Sequence, residues 1–249
     1  MNINVPPASK DCFSLWPVRI SGFFSALCIM VSLLITSIEA VAYWTPGYYE
    51  AEYTKYHVLD DLPEMTMDDL LTVTDEMMAF LRGKRADLHV YTTIGGETRE
   101  FFNEREIAHM EDVQRLFIGG LWLRRFGLLV TASYALLIVS LRKRYPAQRA
   151  LLMKHVFASL CAGMAVFFAA ALLITAVIST NFSKYFIVFH HIFFDNDLWI
   201  LNPATDLLIN IVPEPFFMDT AVRIAATFGG MSAAFLGTIL FLWKKANRL

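Results

Sequence analysis

Four long apolar stretches constrain this chain more than any other feature of its sequence. They cover residues 18–43, 119–141, 156–180 and 221–243. Each reaches the roughly 20 residues that a helix needs to cross the hydrocarbon core of a bilayer. Because lipid offers no partners to backbone amides, each stretch must be helical. The chain is therefore predicted to be an α-helical integral membrane protein with four transmembrane helices.

The first stretch also has features of a secretory signal peptide. Lys10 and Arg19 form a positive leader, and Ala40-Val41-Ala42 resembles a cleavage site. The apolar run is longer than the roughly 7–15 residues that are usual for a signal peptide. We therefore expect an uncleaved span, with cleavage as the alternative.

The positive charges predict how the chain is oriented in the membrane. Segment 142–155 contains five Lys or Arg and no acid, and the tail 244–249 adds three more. Together with the arm 1–17, these segments are expected in the cytoplasm. Segments 44–118 and 181–220 then face outward. Both are acidic, with sixteen acids against seven bases in the first and five against one in the second.

The first outer loop is long enough to form a small α/β extracytoplasmic subdomain. Thr66 reads as an N-cap, followed by a helical apolar pattern that ends near Gly83. Segments 88–93 and 97–102 flank Gly95-Gly96, which is a two-residue hairpin signal. The loop is therefore predicted to contain a helix followed by a β-hairpin.

Two further segments of the outer loops approach the membrane. Residues 104–117 return to helical periodicity and are expected to continue into the second span, which places His109 about two turns above the membrane entry. Residues 185–194 are almost wholly apolar but too short to span, so we expect them in the interface. Asn202-Pro203 predicts the start of a short helix over 204–211.

The first histidine motif has three polar residues at helical spacing. Glu106, His109 and Asp112 can share one helix face, so that Asp112 holds one imidazole nitrogen while the other points at a substrate. The alternative is a solvated, charge-rich helix face. A metal site is a third interpretation, with Glu106 and His109 joined by His190 or His191, although the fuller His-Glu-x-x-His signature is missing.

The second motif contains two adjacent histidines, His190 and His191, which must point in different directions. We therefore expect only one of them in a given site. Desolvation in this apolar run favours the neutral imidazole. Residues 195–197 can be a simple turn, and Trp199 a membrane anchor. No serine or cysteine in the outer loops stands out as a nucleophile, which favours a substrate that brings its own; the chain's cysteines are Cys12, Cys28 and Cys161.

Both motifs resemble the signatures of the lipoprotein intramolecular transacylase (Lit) family of bacterial four-span membrane enzymes. The resemblance covers Glu-x-x-His-Met-x-Asp-Val at 106–113 and Phe-His-x-x-Phe-Phe-x-Asn-Asp-x-Trp at 189–199. It continues through 206–209 and 213–217. It implies transfer of the sn-2 acyl chain of a diacylglyceryl-cysteine lipoprotein to the α-amino group of the same cysteine. The product is an N-acyl lyso-form lipoprotein.

The resemblance also implies where the chemistry lies. His109 and His190 correspond to the family's catalytic pair, whereas His191 falls at a variable position and is given a supporting role. Our hypothesis makes His109 the base, oriented by Asp112 with Glu106 in support, and His190 the acid or oxyanion donor. The reverse assignment is equally allowed. An α-amine with a pKa near 7.7–8.0 needs only a modest base.

The remaining expectations concern partners and location. Asn196 and Trp199 are expected to position the glyceryl headgroup. The partners are diacylglyceryl lipoproteins and membrane lipid, and we expect no nucleic acid, metal or cofactor. The protein is expected in the bacterial cytoplasmic membrane, with both termini in the cytoplasm and its active site at the outer leaflet. Two other functions stay open: a metal-dependent membrane hydrolase, and a non-enzymatic scaffold or sensor.

Overall fold

The computed structural model describes residues 14–62 and 64–246. The predicted cytoplasmic arm up to residue 13, with Lys10 and Cys12, and the end of the tail beyond residue 246 lie outside the described residues. Short 3-10 turns occur at Val58–Asp60 and Pro146–Gln148. The helices and strands, in chain order, are α1 Trp16–Trp44, α2 Tyr48–Lys55, α3 Met67–Leu81, β1 Tyr91–Ile94, β2 Glu97–Glu100, α4 Glu104–Arg144, α5 Arg149–Ser179, α6 Phe182–Phe193, α7 Leu207–Ile211 and α8 Glu214–Ala246.

Four of these helices, α1, α4, α5 and α8, are long and apolar enough to cross a membrane. They contain the predicted apolar stretches except for residue 180, which follows the end of α5 at Ser179, and the predicted fold class is confirmed. Helix α4 begins at Glu104, well before the predicted span that starts at residue 119, and α8 begins at Glu214, before the predicted span that starts at residue 221. The early start of α4 agrees with the prediction that the helix over residues 104–117 continues into the second span. The boundaries between spans and loops stay predictions.

Helix α1 is the centre of the membrane bundle, because α4, α5 and α8 all pack against it. Two glycines allow close approach. A Cβ on Gly127 of α4 would lie 2.9 Å from the carbonyl oxygen of Cys28, and one on Gly163 of α5 would lie 2.7 Å from that of Phe23. Small residues at such contacts let membrane helices pack backbone to backbone, where no hydrophobic effect drives them together.

The subdomain formed by the first predicted outer loop has the predicted helix and hairpin. Thr66 caps α3 by accepting a hydrogen bond from the Asp69 backbone N–H at 3.2 Å. The turn between β1 and β2 places Gly95 and Gly96 at φ values of 64° and 80°, the conformation that a two-residue hairpin requires of both positions. The paired strands are shorter than the predicted segments. Buried apolar residues of α3 and of the segments that flank the hairpin, such as Val90 and Phe101, share one core with Leu208 of α7.

A buried ion cluster fastens this subdomain to the membrane helices. Glu39 of α1 is only 4% exposed. One carboxylate oxygen lies 2.8 Å from Arg82, at the end of α3, and the other pairs with Arg124 of α4. A carboxylate buried among apolar helices is costly unless it is paired. The two arginines provide that pairing, and they link three helices to one residue.

In the second predicted outer loop the apolar segment is helical, and its location in the membrane interface stays a prediction. Helix α6 is apolar and has twelve residues, too few to span a bilayer. The predicted helix start at Asn202-Pro203 is wrong. The Asn202 carbonyl instead accepts hydrogen bonds from Thr205 and Asp206 in a turn, and α7 begins only at Leu207, after Asp206.

Candidate active site

The two histidines predicted to be catalytic lie next to each other. His109 is in the second turn of α4, and His190 is in the last turn of α6. Their ring centroids are 6.2 Å apart, and the residues are only 7% and 8% exposed. Phe194 contacts both rings, at centroid distances of 5.3 and 5.6 Å. The fold thus brings both motifs into a single buried site.

The ring of His190 is held in one orientation and one tautomer. Its Nδ1 lies 2.7 Å from the carbonyl oxygen of Phe186. Because a carbonyl only accepts, Nδ1 carries the hydrogen and donates it. Trp199 stacks on the ring at 4.8 Å between centroids. The neutral ring therefore presents Nε2 with a free lone pair.

The ring of His109 is placed differently. Its Nδ1 is buried, with no hydrogen-bond partner in the described part of the chain. A neutral imidazole has one N–H donor and one acceptor nitrogen. A proton on Nδ1 would leave a buried donor unpaired, so the neutral ring is better satisfied with its proton on Nε2. His109 then offers an N–H donor where His190 offers an acceptor.

Burial of the site favours neutral imidazoles, because desolvation penalises the charged form. Desolvation lowers the pKa of His190 below its usual 6.5, although the hydrogen bond to the Phe186 carbonyl opposes this shift. The neighbouring His191 lowers the pKa of His190 further. The lowered pKa keeps His190 mostly neutral at physiological pH, as the apolar sequence around it predicted.

Asp112 does not hold His109, contrary to the hypothesis from helix spacing. Its carboxylate accepts a hydrogen bond from the Asn196 side chain at 2.8 Å and pairs with Arg115. The spacing of three residues correctly places Asp112 beside His109 on α4. Its partner, however, is the loop that follows α6. Asp112 therefore anchors the segment that carries His190.

Asn196 and Trp199 serve the protein's own architecture. The side chain of Asn196 donates to Asp112 and accepts from the Leu198 backbone N–H at 3.1 Å. Its backbone carbonyl accepts from the Trp199 indole N–H at 2.9 Å. The polar groups predicted to bind a glyceryl headgroup are thus engaged within the chain. Their evident effect is to fix Trp199 against His190.

Glu106 lies outside the histidine pair and connects α4 to α7. It is 1% exposed, and its carboxylate accepts the backbone N–H of Asn103 at 2.7 Å and that of Leu208 at 2.6 Å. The Asn103 side chain, which caps α4, also donates to Asp206 at 2.9 Å. Sequence reasoning missed Asn103 and Asp206, although Asn-x-x-Glu before a helix is a recognisable capping-box signal.

This arrangement bears on the predicted metal alternative. Both carboxylate oxygens of Glu106 accept backbone hydrogen bonds, from Asn103 and Leu208, rather than facing the two histidines as a pair of free ligands. Within residues 14–62 and 64–246, no three His, Cys, Asp or Glu side chains come together in a way that could hold a metal ion. His191 is exposed and meets Trp199 edge-on at 5.1 Å, so the adjacent histidines do point in different directions.

The fold defines an integral membrane protein with four helices long enough to span a bilayer, and its buried pair of imidazoles has the donor and acceptor groups that proton transfer requires. Residues 23–217 match the family model of the lipoprotein intramolecular transacylase Lit, so the chain belongs to this family. It is therefore a membrane-integral acyltransferase, and the family name implies a lipoprotein substrate. No curated protein sequence matches the chain.

Solved structures of the membrane-integral transacylase Lit from Bacillus cereus share this fold. A variant with one histidine changed to alanine aligns with a TM-score of 0.71 and 22% identity, over 94% of this chain and 96% of its own. A variant with the same histidine changed to arginine aligns at 0.70 and 22%, over 93% and 94%. A third structure aligns at 0.70 and 21%, over 93% and 98%.

Proposed function

We propose that this transacylase moves the sn-2 acyl chain of a diacylglyceryl-cysteine lipoprotein to the α-amino group of the same cysteine. A C–N amide bond forms and the sn-2 C–O ester bond breaks. One proton passes from the amine to the departing sn-2 oxygen. The conversion of an ester into an amide is downhill, so the reaction needs no nucleotide and no acyl carrier.

The observation that carries this proposal is the complementary pair of imidazoles, 6.2 Å apart. His190 offers Nε2 as an acceptor, and His109 offers an N–H donor. We therefore assign His190 as the general base that takes the amine proton during attack. His109 donates a hydrogen bond to the oxyanion of the tetrahedral intermediate. Protonated His190 then returns the proton to the sn-2 oxygen.

This assignment reverses the preferred hypothesis from the sequence, in which His109 was the base. The difference comes from the Phe186 carbonyl, which fixes a proton on Nδ1 of His190. With His190 as the base, a second acid is unnecessary, because the same histidine takes the proton from the amine and returns it to the sn-2 oxygen. Because amine and ester belong to one substrate molecule, proximity contributes much of the rate.

We further propose that the site faces the outer leaflet of the bacterial cytoplasmic membrane, with both termini in the cytoplasm. Helix α4 has 41 residues and is about 60 Å long at 1.5 Å per residue. His109 lies near its beginning, and Arg142, Lys143 and Arg144 lie at its end. The positive-inside tendency places that basic end in the cytoplasm. Labelling of cysteines introduced into each loop of intact cells tests this orientation.

Mass spectrometry of N-terminal lipopeptides tests the reaction itself. The host carries diacylglyceryl lipoproteins and no other N-acylating activity, and it expresses the wild-type chain, His109→Ala, His190→Ala or His191→Ala. We expect a fatty acid moved from glycerol to the cysteine nitrogen with the wild type and His191→Ala. His191 is the matched control because it neighbours His190 but lies on the exposed side.

The outcomes separate the possible functions. Full lyso-lipoprotein formation by His109→Ala or His190→Ala contradicts the assignment of these residues. Loss of an acyl chain without N-acylation in the wild type indicates a hydrolase. An unchanged lipopeptide, with expression of the wild-type protein verified, contradicts the proposed reaction.

A further inference from the structure

A cavity of about 220 Å³ lies between α4 and the end of α6, and Phe194, which contacts both histidine rings, is part of its lining. Residues 112, 115 and 116 of α4 line it, and they follow His109 by one to two helical turns. Its lining residues are Asp112, Arg115, Leu116, Phe193, Phe194 and Asp195.

The charges that line this cavity are unequally paired within the protein. Asp112 accepts from Asn196 and pairs with Arg115, so these two charges compensate each other. Asp195 has no hydrogen bond or ion pair with any residue that the structure describes. Two carboxylates and one guanidinium leave the lining with one net negative charge. Asp195, which is exposed to solvent, carries that charge without a partner among the described residues.

Such a charge matters because the substrate has abundant competitors. Membrane phospholipids present the same two esters on the same glycerol. They differ in the headgroup, which is an anionic phosphate in place of a thioether to cysteine. The α-amine of the lipoprotein, with a free pKa near 7.7–8.0, is mostly cationic at neutral pH. A free carboxylate attracts this cation and repels a phosphate.

We propose that Asp195 is a specificity-determining residue, which admits a diacylglyceryl group bearing an α-ammonium and excludes the phosphate of membrane phospholipids. This inference rests on the proposed function and extends it from the reaction to the choice of lipid. The apolar side chains of Leu116, Phe193 and Phe194 accept the acyl-chain ends that substrate and phospholipid share. The charge of Asp195 therefore has to distinguish the lipoprotein substrate from membrane phospholipids.

The test measures competition by a defined lipid. The purified full chain converts a diacylglyceryl lipopeptide in neutral-detergent micelles, with increasing dioleoyl-phosphatidylglycerol as the inhibitor. Dioleoylglycerol, which has no phosphate, is the uncharged competitor. The variants are Asp195→Asn, the charge-retaining Asp195→Glu, and Glu111→Gln. Glu111 is exposed on α4 next to Asp112 but does not line the cavity, so it gives the same charge change outside the site.

We expect Asp195→Asn to be inhibited by phosphatidylglycerol at roughly fivefold lower concentration than the wild type, the size of one partly solvated charge interaction. Its KM for the lipopeptide should rise while kcat changes less, and its inhibition by dioleoylglycerol should stay unchanged. Asp195→Glu and Glu111→Gln should behave like the wild type. A melting temperature equal to that of the wild type shows that Asp195→Asn is folded.

Two results overturn the inference. One is equal inhibition of the wild type and Asp195→Asn by phosphatidylglycerol. The other is an equal change in Asp195→Asn and Glu111→Gln, which assigns the effect to overall surface charge. Failure of the proposed function looks different, because then the wild type forms no N-acyl product even when no phospholipid is present.

Discussion

The hydrogen bond between Asp112 and Asn196 provides a quantitative test of how the site is held together. It joins α4 to the loop after α6 at 2.8 Å, and the Asp112 side chain is only 11% exposed. A hydrogen bond to a charged group of this kind contributes about 1.5–3 kcal/mol. If the bond serves to keep His190 beside His109, its loss lowers kcat by roughly 10- to 150-fold.

A double-mutant cycle separates this role from direct catalysis. We compare Asp112→Ala, Asn196→Ala and the double variant, measuring the initial rate of N-acyl lipopeptide formation in micelles together with the melting temperature. Each single change breaks the same bond, so the double variant should be no slower than the slower single one. The coupling energy in activation should then be about 1.5–3 kcal/mol.

The competing view, that Asp112 orients His109, makes a different prediction. Asp112→Ala would then be as slow as His109→Ala, while Asn196→Ala would keep most of its activity. Rate losses that simply add in the double variant refute a shared role for the bond, because they show that the two residues act independently.

Three further perturbations test the fold and the site. Gly127→Ala should destabilise the protein by about 1–3 kcal/mol, because its Cβ would press on the α1 backbone. Gly120→Ala is the control, since there is open space around that residue. Equal melting temperatures of the two variants in micelles would contradict the close packing of α4 on α1. Glu39→Ala should cost about 3–5 kcal/mol by leaving two arginines unpaired. Limited proteolysis of Glu39→Ala should then release the outer subdomain. If this variant resists protease as well as the wild type does, the ion cluster does not hold the subdomain in place. His190 should titrate by NMR with a midpoint below 6.5, losing its proton as pH rises through that lowered pKa, whereas a midpoint above 6.5 would contradict its burial.

Local patterns in the sequence predicted most of the architecture. The four spans follow from apolar length, the start of α3 follows from Thr66, and the hairpin follows from Gly95-Gly96. These features depend on neighbours in the chain, so they can be read without knowledge of tertiary contacts. The convergence of His109 and His190 required more, namely the family resemblance together with the charge bias that places both loops on one side.

Tertiary partners were the part that the sequence could not supply. Helical spacing puts Asp112 on the face of His109, but it cannot show that Asn196 approaches that face. The predicted start of α7 at Asn202-Pro203 was wrong for a related reason. Asn202 and Asp206 are both good N-cap residues, and only the fold shows that Glu106 accepts the Leu208 backbone N–H. Glu39 was overlooked because hydropathy averages one carboxylate into an apolar stretch.

The central position of α1 has a consequence for biogenesis. It precedes in the chain the three helices that pack on it, so it enters the membrane before any of them. Each later helix can dock on this existing surface as it leaves the insertion machinery, without waiting for a partner made afterwards. Assembly can thus follow the order of synthesis: α4 and α5 precede α6 in the chain, so His190 can meet His109 on a framework of α1, α4 and α5 before α8 is made.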